Sequence, residues 1–123
     1  MRNPIQTMTA AVIGLVLSGS VHAQEAVGSG VGVDTTCAEY TDLALHDSQS
    51  AHFAFLSWTQ GFMTGFNFAR LKDGSKAVNL RAMDQAQLEA ALRKACADNP
   101  SKAFLSVVIE IYQRLAELGK VEL

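Results

Sequence analysis

The sequence has no run of basic residues and no excess of basic over acidic side chains. Ten Lys and Arg residues stand against twelve Asp and Glu in 123 residues, a formal net charge of −2 at pH 7. Proteins that bind nucleic acid or anionic membranes ordinarily present a cationic patch or stripe. The composition therefore argues against both of these function classes.

The sequence also lacks an apolar run long enough to cross a bilayer, which takes about 20 residues. The apolar run at residues 8–17 (MTAAVIGLVL) follows Arg2 and precedes the sequence Val21-His22-Ala23. This order is typical of a cleavable secretory signal peptide, which we predict over residues 1–23. The residue directly after the cleavage site is Gln24 and not cysteine, so no lipid anchor is expected. The composition is bacterial in style, which would make the compartment the periplasm.

Cysteine is scarce: Cys37 and Cys96 occur without any C-x-x-C motif or Cys/His cluster, which argues against a zinc site. In an oxidising compartment an even pair predicts a disulfide, and two cysteines allow one intramolecular pairing. The alternative is two buried free thiols. A bond between these positions would stabilise the fold by roughly 4 kcal/mol in the chain-entropy treatment.

Motifs for phosphate binding and for catalysis are absent. No glycine-rich phosphate loop follows a strand. His46, Asp47 and His52 are candidate metal ligands, but two solvent-exposed histidines are the better interpretation. Ser57 and Thr64 have no histidine or acid placed to activate them. We therefore expect neither an enzyme nor a bound cofactor.

The sequence does contain an uncharged aromatic segment at residues 53–69 (FAFLSWTQGFMTGFNFA), with five of the six Phe residues and the only Trp. Helical spacing predicts an apolar face opposite a polar strip, with two glycines on a flank where another backbone could approach. The apolar face is Phe55, Trp58, Phe62, Phe66 and Ala69; the strip is Ser57, Gln60, Thr64 and Asn67; the glycines are Gly61 and Gly65. Such a helix lies either in a core or in a subunit interface.

The remaining chain divides into a short tail and a helical domain. Residues 24–34 hold three glycines without periodicity and predict a flexible tail. Residues 35–123 predict a small all-α domain of four orthogonal helices with one disulfide. The capping-box patterns Thr36-x-x-Glu39 and Asp84-x-x-Gln87 predict the starts of the first and third helices. Ser48 or Ser50 would cap the central helix.

The last two helices each carry one apolar face. The predicted face of the third helix is Leu88, Ala91, Leu92, Ala95 and Cys96, which would bring Cys96 toward the first helix. The predicted face of the fourth is Phe104, Val107, Val108, Ile111, Leu115 and Leu118. Asn99 and Pro100 predict the start of the fourth helix, and Gly119 its end.

Several of these features together resemble the HdeA/HdeB family of periplasmic acid-stress chaperones. They are Cys37-Ala-Glu-Tyr40 after a tail, Trp58-x-x-Gly61-Phe62-x-x-Gly65-x-Asn67, and Lys94-Ala-Cys96-x-x-Asn99-Pro100 before a final amphipathic helix. The resemblance extends from about residue 35 to about residue 118.

The resemblance implies a four-helix fold, often homodimeric at neutral pH, that opens in strong acid and holds unfolded periplasmic proteins. Cys37 and Cys96 would match the family disulfide. The client and dimer surface would then lie on the central helix, at Phe55, Trp58, Phe62, Met63 and Phe66. At about pH 2, loss of residues 1–23 and protonation of the carboxylates would leave a charge of roughly +12, which favours opening.

A second resemblance is to immunity proteins of the Tai type, which neutralise peptidoglycan-cleaving effectors. These are also small, periplasmic, helical and disulfide-linked, and they are similar in the glycine-spaced central helix. This alternative implies a folded inhibitor that presents a loop, residues 45–50 or 74–80, to a single partner enzyme. A periplasmic binding module of another role is the third possibility.

Overall fold

The protein is described from a computed structural model, which covers residues 30–46 and 49–121 and, among these, not the side chains of Leu45, Lys120 and Val121. The predicted signal peptide, and the predicted tail as far as residue 29, lie outside the described residues. Four α-helices follow in order: α1 (Cys37–His46), α2 (Gln49–Lys72), α3 (Gln85–Asp98) and α4 (Phe104–Val121), with a short 3-10 helix at Leu80–Ala82. The prediction of a small all-α domain with four helices and one disulfide is confirmed.

Side-chain caps define the starts of α1 and α3. Glu39 accepts hydrogen bonds from the backbone N–H and the hydroxyl of Thr36, and the Glu39 N–H donates to Thr36 Oγ1. Asp84 and Gln87 form the same reciprocal box at α3, with both bonds at 2.8 Å. Each box satisfies backbone donors that a helix N-terminus leaves without partners. Both predicted boxes are confirmed.

The end of α2 is set by Gly74, which adopts a positive φ of 78°. The N–H of Ser75 donates to Arg70 O, and that of Gly74 donates to Leu71 O. This is a Schellman arrangement, in which the left-handed residue is usually glycine because it has no Cβ. Ser50 lies inside α2, so it is not the predicted cap, and Ser48 lies outside the described residues.

The fourth helix begins later than predicted. Asn99 is the C-cap of α3, and a turn separates it from Phe104, the first residue of α4. Backbone bonds join this turn to the start of α1, from Cys37 N to Lys102 O and from Phe104 N to Thr35 O. The turn is needed for this pairing, so Pro100 does not open a helix. Gly119 also does not end α4, which continues to Val121.

The core lies between the four helices and is centred on three aromatic rings. The rings of Tyr40, Phe55 and Phe104 contact one another at centroid distances of 4.8 to 5.1 Å. The Cys37–Cys96 disulfide joins α1 to α3 and is fully buried beside them. The cysteines are 59 positions apart, so the bond closes a loop that contains the whole of α2. Leu118, predicted in the core face of α4, is instead exposed.

Candidate functional site

The face of α2 that enters the core differs from the predicted one. Its buried residues are Phe55, Leu56, Thr59 and Met63. The buried Thr59 hydroxyl is satisfied because it donates to Phe55 O at 2.8 Å. Phe55 and Met63, predicted as part of a client and dimer surface, therefore lie in the core of the folded domain. They can form a fully exposed surface only if α2 separates from the rest of the domain.

The other three predicted surface residues form an aromatic ladder, which we define as Trp58, Phe62 and Phe66. The rings stack at 5.4 Å between Trp58 and Phe62 and at 5.9 Å between Phe62 and Phe66. Tyr112 of α4 meets Phe66 edge-on at 5.0 Å. Trp58 and Phe62 are half-buried, whereas Phe66 is 44% exposed. The ladder therefore runs from the domain interior toward its surface.

A turn at residues 30–34 covers Trp58. A Cβ at Gly32 would lie 2.2 Å from the indole ring, and one at Gly30 would lie 2.7 Å from it. Residues 30–34 thus pack on the domain, although the sequence placed them at the end of a flexible tail. Gly30 and Gly32 permit this close approach because they have no side chain. The lack of periodicity in the sequence did not distinguish such a packed turn from a flexible tail.

The side of α2 opposite its buried residues, which we call the outer face, is exposed and uncharged. Its members are Phe53, Ser57, Gly61, Thr64, Gly65 and Phe68. Phe53 and Phe68 are each 69% exposed, and nothing lies within 4 Å of a Cβ placed at Gly61 or Gly65. The sequence interpretation missed both phenylalanines, although helical spacing places them on the same side as Ser57 and Thr64.

Asn67 does not belong to the exposed strip in which it was predicted. Its side chain donates to Val78 O at 2.9 Å and accepts from Val78 N at 2.8 Å. Its carbonyl oxygen also accepts the hydroxyl proton of Tyr112 at 2.7 Å. Burial raises the pKa of the Tyr112 hydroxyl, which keeps this group protonated as a donor. Asn67 therefore fixes the C-terminal half of α2 to α4 and to the connector before α3.

Two clefts lie along the side of α2 that faces α3. The larger, of about 480 Å³, has Met63, Leu80, Met83 and Leu88 among its lining residues and Arg81 at its rim. The second, of about 400 Å³, is lined by His52, Phe53 and Leu56, and Gln85 borders both. The larger cleft lies beside the middle of α2, and the second lies beside its N-terminal end.

The two histidines of the described chain differ in environment. His46 is exposed and lies 3.0 Å from Asp42 on the same helix, as expected for a surface histidine. His52 is only 27% exposed, so the prediction that it is solvent-exposed is wrong. It faces Glu89 of α3 because α2 and α3 approach each other there. No group of three metal-ligating side chains occurs among residues 30–46 and 49–121.

Across that same described part of the chain, no helix has the length and hydropathy needed to span a membrane. Compared with protein-family models, with curated proteins and with solved structures, the chain gives no match.

Proposed function

We propose that this protein is a periplasmic acid-stress chaperone that holds unfolded proteins on the apolar surfaces of α2. The observation that supports this most strongly is the outer face of α2, which is uncharged and carries Phe53 and Phe68, each 69% exposed to solvent. Exposed aromatic side chains on an uncharged helix face are characteristic of a protein-binding surface.

At neutral pH the occupant of the outer face is a second copy of the chain. Phe53 and Phe68 lie at equal distances from the middle of the face, and so do Ser57 and Thr64. An antiparallel second α2 would therefore set Phe53 against the second copy's Phe68, as two-fold symmetry requires. The open space above Gly61 and Gly65 allows the two backbones to approach closely. The paired faces would extend for about 22 Å.

In strong acid the carboxylates are neutralised while the Lys and Arg side chains stay charged, so the net charge of the protein becomes positive. Repulsion then favours a more open state. The Cys37–Cys96 bond keeps α1 on α3, whereas α2 packs on α1 and α4 through side chains alone. Separation of α2 adds the buried Phe55, Leu56 and Met63 to the apolar surface available to a client.

The test is suppression of aggregation of two unrelated client proteins at pH 2–3 and at pH 7. We expect suppression only in acid, and at least a threefold loss of it in Phe53→Ser/Phe68→Ser, since two aromatic contacts of about 1 kcal/mol each contribute to client binding. Leu118→Ser is the matched control, because Leu118 is an exposed apolar residue of α4. Sizing of the same variants at pH 7 measures the dimer.

A chain that stays folded at pH 2 and leaves client aggregation unchanged would refute the chaperone proposal. Equal activity of the double variant and the control would place client binding elsewhere on the molecule.

The second candidate function is that of an immunity protein that inhibits one peptidoglycan-cleaving enzyme. The observation in its favour is the larger cleft, which is already open in the folded domain and borders the connector at Leu80 and Arg81. Such a protein would bind its enzyme tightly at pH 7, and Arg81→Glu would weaken that binding. The chaperone proposal instead predicts no tight partner at pH 7 other than a second copy.

A further inference from the structure

The two clefts beside α2 form one groove along the boundary between α2 and α3, which we call the α2–α3 groove. Gln85 borders both clefts, of about 480 Å³ and about 400 Å³, so the clefts meet at this residue. Each has a volume in the range of ordinary ligand sites, which measure about 300–1,000 Å³. Two of the five residues of its apolar floor are methionines, whose flexible thioethers adapt to ligands of different shape. The floor consists of Leu56, Met63, Leu80, Met83 and Leu88.

The rim of the α2–α3 groove offers neutral hydrogen-bonding groups. Gln49 lies at the smaller cleft and Gln60 at the larger one, and both are exposed. Neither side-chain amide forms a hydrogen bond within the part of the chain that the structure describes. One amide can donate to a backbone carbonyl and accept from a backbone N–H at the same time, as Asn67 does with Val78. The rim therefore suits a ligand with unpaired backbone groups, which an extended peptide has and a hydrocarbon chain lacks.

The larger cleft carries one cation that is available to a ligand. Arg81 is exposed, and its side chain forms no ion pair with the described residues. The acid at the same cleft, Asp84, already accepts the N–H of Gln87 at 2.8 Å as the cap of α3. Its negative charge is favoured there by the helix N-terminus. The complementary partner of Arg81 is therefore an acidic group on the ligand.

The connector before α3 gives the groove a direction. It pairs with Asn67 at Val78, and at Gln85 it reaches the smaller cleft, which Leu56 lines. The connector thus runs antiparallel to α2, and Arg81 lies at the end of the groove nearer the C-terminus of α2. An acidic group bound to Arg81 would lie beyond the larger cleft and not between the two clefts.

The distance between the clefts sets the spacing of the ligand side chains that enter them. On α2 the smaller cleft is lined by residues within 49–56 and the larger by residues within 60–64, so their centres are about ten positions, or about 15 Å, apart. An extended chain advances about 3.3 Å per residue and turns alternate side chains to the same face. Side chains at positions i and i+4 of an extended segment are thus about 13 Å apart on one face, which matches the two clefts.

We propose that the α2–α3 groove binds an extended peptide segment that has large apolar side chains four positions apart and an acidic side chain two positions beyond one of them. The two apolar side chains fill the clefts, the amides of Gln49 and Gln60 pair with the peptide backbone, and the carboxylate faces Arg81. The groove is complete in the folded domain, so this inference does not rest on the proposed chaperone function or on any separation of α2.

The experiment measures the fluorescence anisotropy of a labelled nine-residue peptide titrated with the full chain at pH 7 and low salt. The peptide is serine throughout, except for leucine at its second and sixth positions and glutamate at its eighth. Its reversed sequence is measured as well, because the amides of the rim fit either chain direction. For the tighter of the two peptides we expect saturable binding at micromolar concentrations, and no saturation below about 1 mM for either would overturn the proposal.

The spacing of the leucines is tested with two changes in the peptide. Moving one leucine to the neighbouring position turns it to the opposite face of an extended chain, and replacing it with alanine removes one apolar side chain from its cleft. Each change should weaken binding about tenfold, since a leucine side chain then remains in water. Equal binding of the original and the shifted peptide would contradict an extended segment in the two clefts.

Arg81→Glu tests the charged end of the groove. It should weaken binding of the glutamate peptide about fivefold, because a repulsion replaces an attraction at an exposed site. Lysine in place of the glutamate of the peptide should then restore binding. Arg114→Glu is the matched control, since Arg114 is an exposed arginine of α4 outside the groove, and it should leave the binding of both peptides unchanged. Equal effects of the two variants, or no rescue by the lysine peptide, would overturn the proposal.

Other occupants of the groove would give different results. Decanoate, an anionic amphiphile without amide groups, would overturn the proposal if it displaced the labelled peptide at a lower concentration than the unlabelled peptide does. A second copy seated in the groove would lower the peptide affinity as the chain concentration rises, whereas the proposal requires the same affinity at a low and a high concentration. Because the peptide is measured at pH 7 and client aggregation at pH 2–3, this inference and the proposed function can fail independently.

Discussion

At Gly32 the chain passes directly over the indole ring of Trp58. A methyl group there would lie 2.2 Å from two ring carbons, so the turn or the ring must move. We expect Gly32→Ala to lower the free energy of unfolding by about 1–3 kcal/mol, as overpacking usually does. Trp58 would also become more exposed, which a red shift of its fluorescence would report.

Gly119→Ala is the matched control for this prediction. Gly119 lies in α4 with nothing within 4 Å of its Cβ position, so the change should be neutral or slightly stabilising. If Gly32→Ala behaves like Gly119→Ala in urea unfolding and in fluorescence, the turn at residues 30–34 does not pack on Trp58.

His52 shows what residue patterns alone leave undetermined. The sequence near it predicts a helix but says nothing of Glu89, which lies 37 positions away and meets it only through packing of α2 on α3. The cysteines differ in this respect, since two cysteines in an oxidising compartment have a single intramolecular pairing. The disulfide was therefore predictable, whereas the contact between His52 and Glu89 was not.

At the scale of the helix, the start of α1 depends on a carboxylate. Hydrogen bonds from the backbone N–H of Thr36, and secondarily from its hydroxyl, hold the pKa of Glu39 below its ordinary value of 4.5. Because this pKa is lower in the folded state, Glu39 contributes stability above about pH 4.5, and the contribution is lost as the pH falls through the lowered value.

Glu39→Gln should therefore be less stable than the wild type at pH 7 and equally stable at pH 2, since glutamine keeps a neutral capping bond. Urea unfolding across this range measures the difference. Thr36→Val, which keeps the backbone donor and removes the hydroxyl, should retain part of the acid dependence. Parallel curves for Glu39→Gln and the wild type from pH 7 to pH 2 would contradict the assignment.

The orientation of α2 was the least predictable property of the elements. Its phenylalanines point in several directions, at 53, 55, 62, 66 and 68, so an apolar stripe can be drawn through more than one face. The chosen stripe placed Trp58 and Phe66 inward, whereas Leu56, Thr59 and Met63 are buried instead. Charged residues on the outer face would have shown which side of α2 faces solvent, but the outer face carries none. The caps of α1 and α3 were predictable because they depend on residues three positions apart.

At the scale of the whole molecule, the Cys37–Cys96 disulfide contributes to the free energy of unfolding as a covalent crosslink. Removing a crosslink between residues 59 positions apart costs about 4 kcal/mol in the chain-entropy treatment. Domains of this size have a total stability of about 5–15 kcal/mol. We expect Cys37→Ala/Cys96→Ala to lose about 4 kcal/mol in urea unfolding at pH 7 and to recover poorly after exposure to pH 2.

Reduction of the wild-type chain with dithiothreitol should give the same loss and serves as the control for the buried substitutions. A loss below about 1 kcal/mol in both samples would mean that burial of the core, and not the crosslink, limits unfolding of the molecule.

If α2 separates in acid as proposed, the loop closed by that bond also determines how α2 returns at neutral pH. Both ends of α2 lie inside the loop, so a displaced α2 remains tethered near its own docking site, at an effective concentration on the order of millimolar. Under the proposed chaperone function, a client held on Phe55 or Met63 of α2 would compete with the docking site of α2 for the same apolar atoms. On neutralisation the tethered docking site would outcompete a dilute client, so client release would need no second factor and no chemical energy.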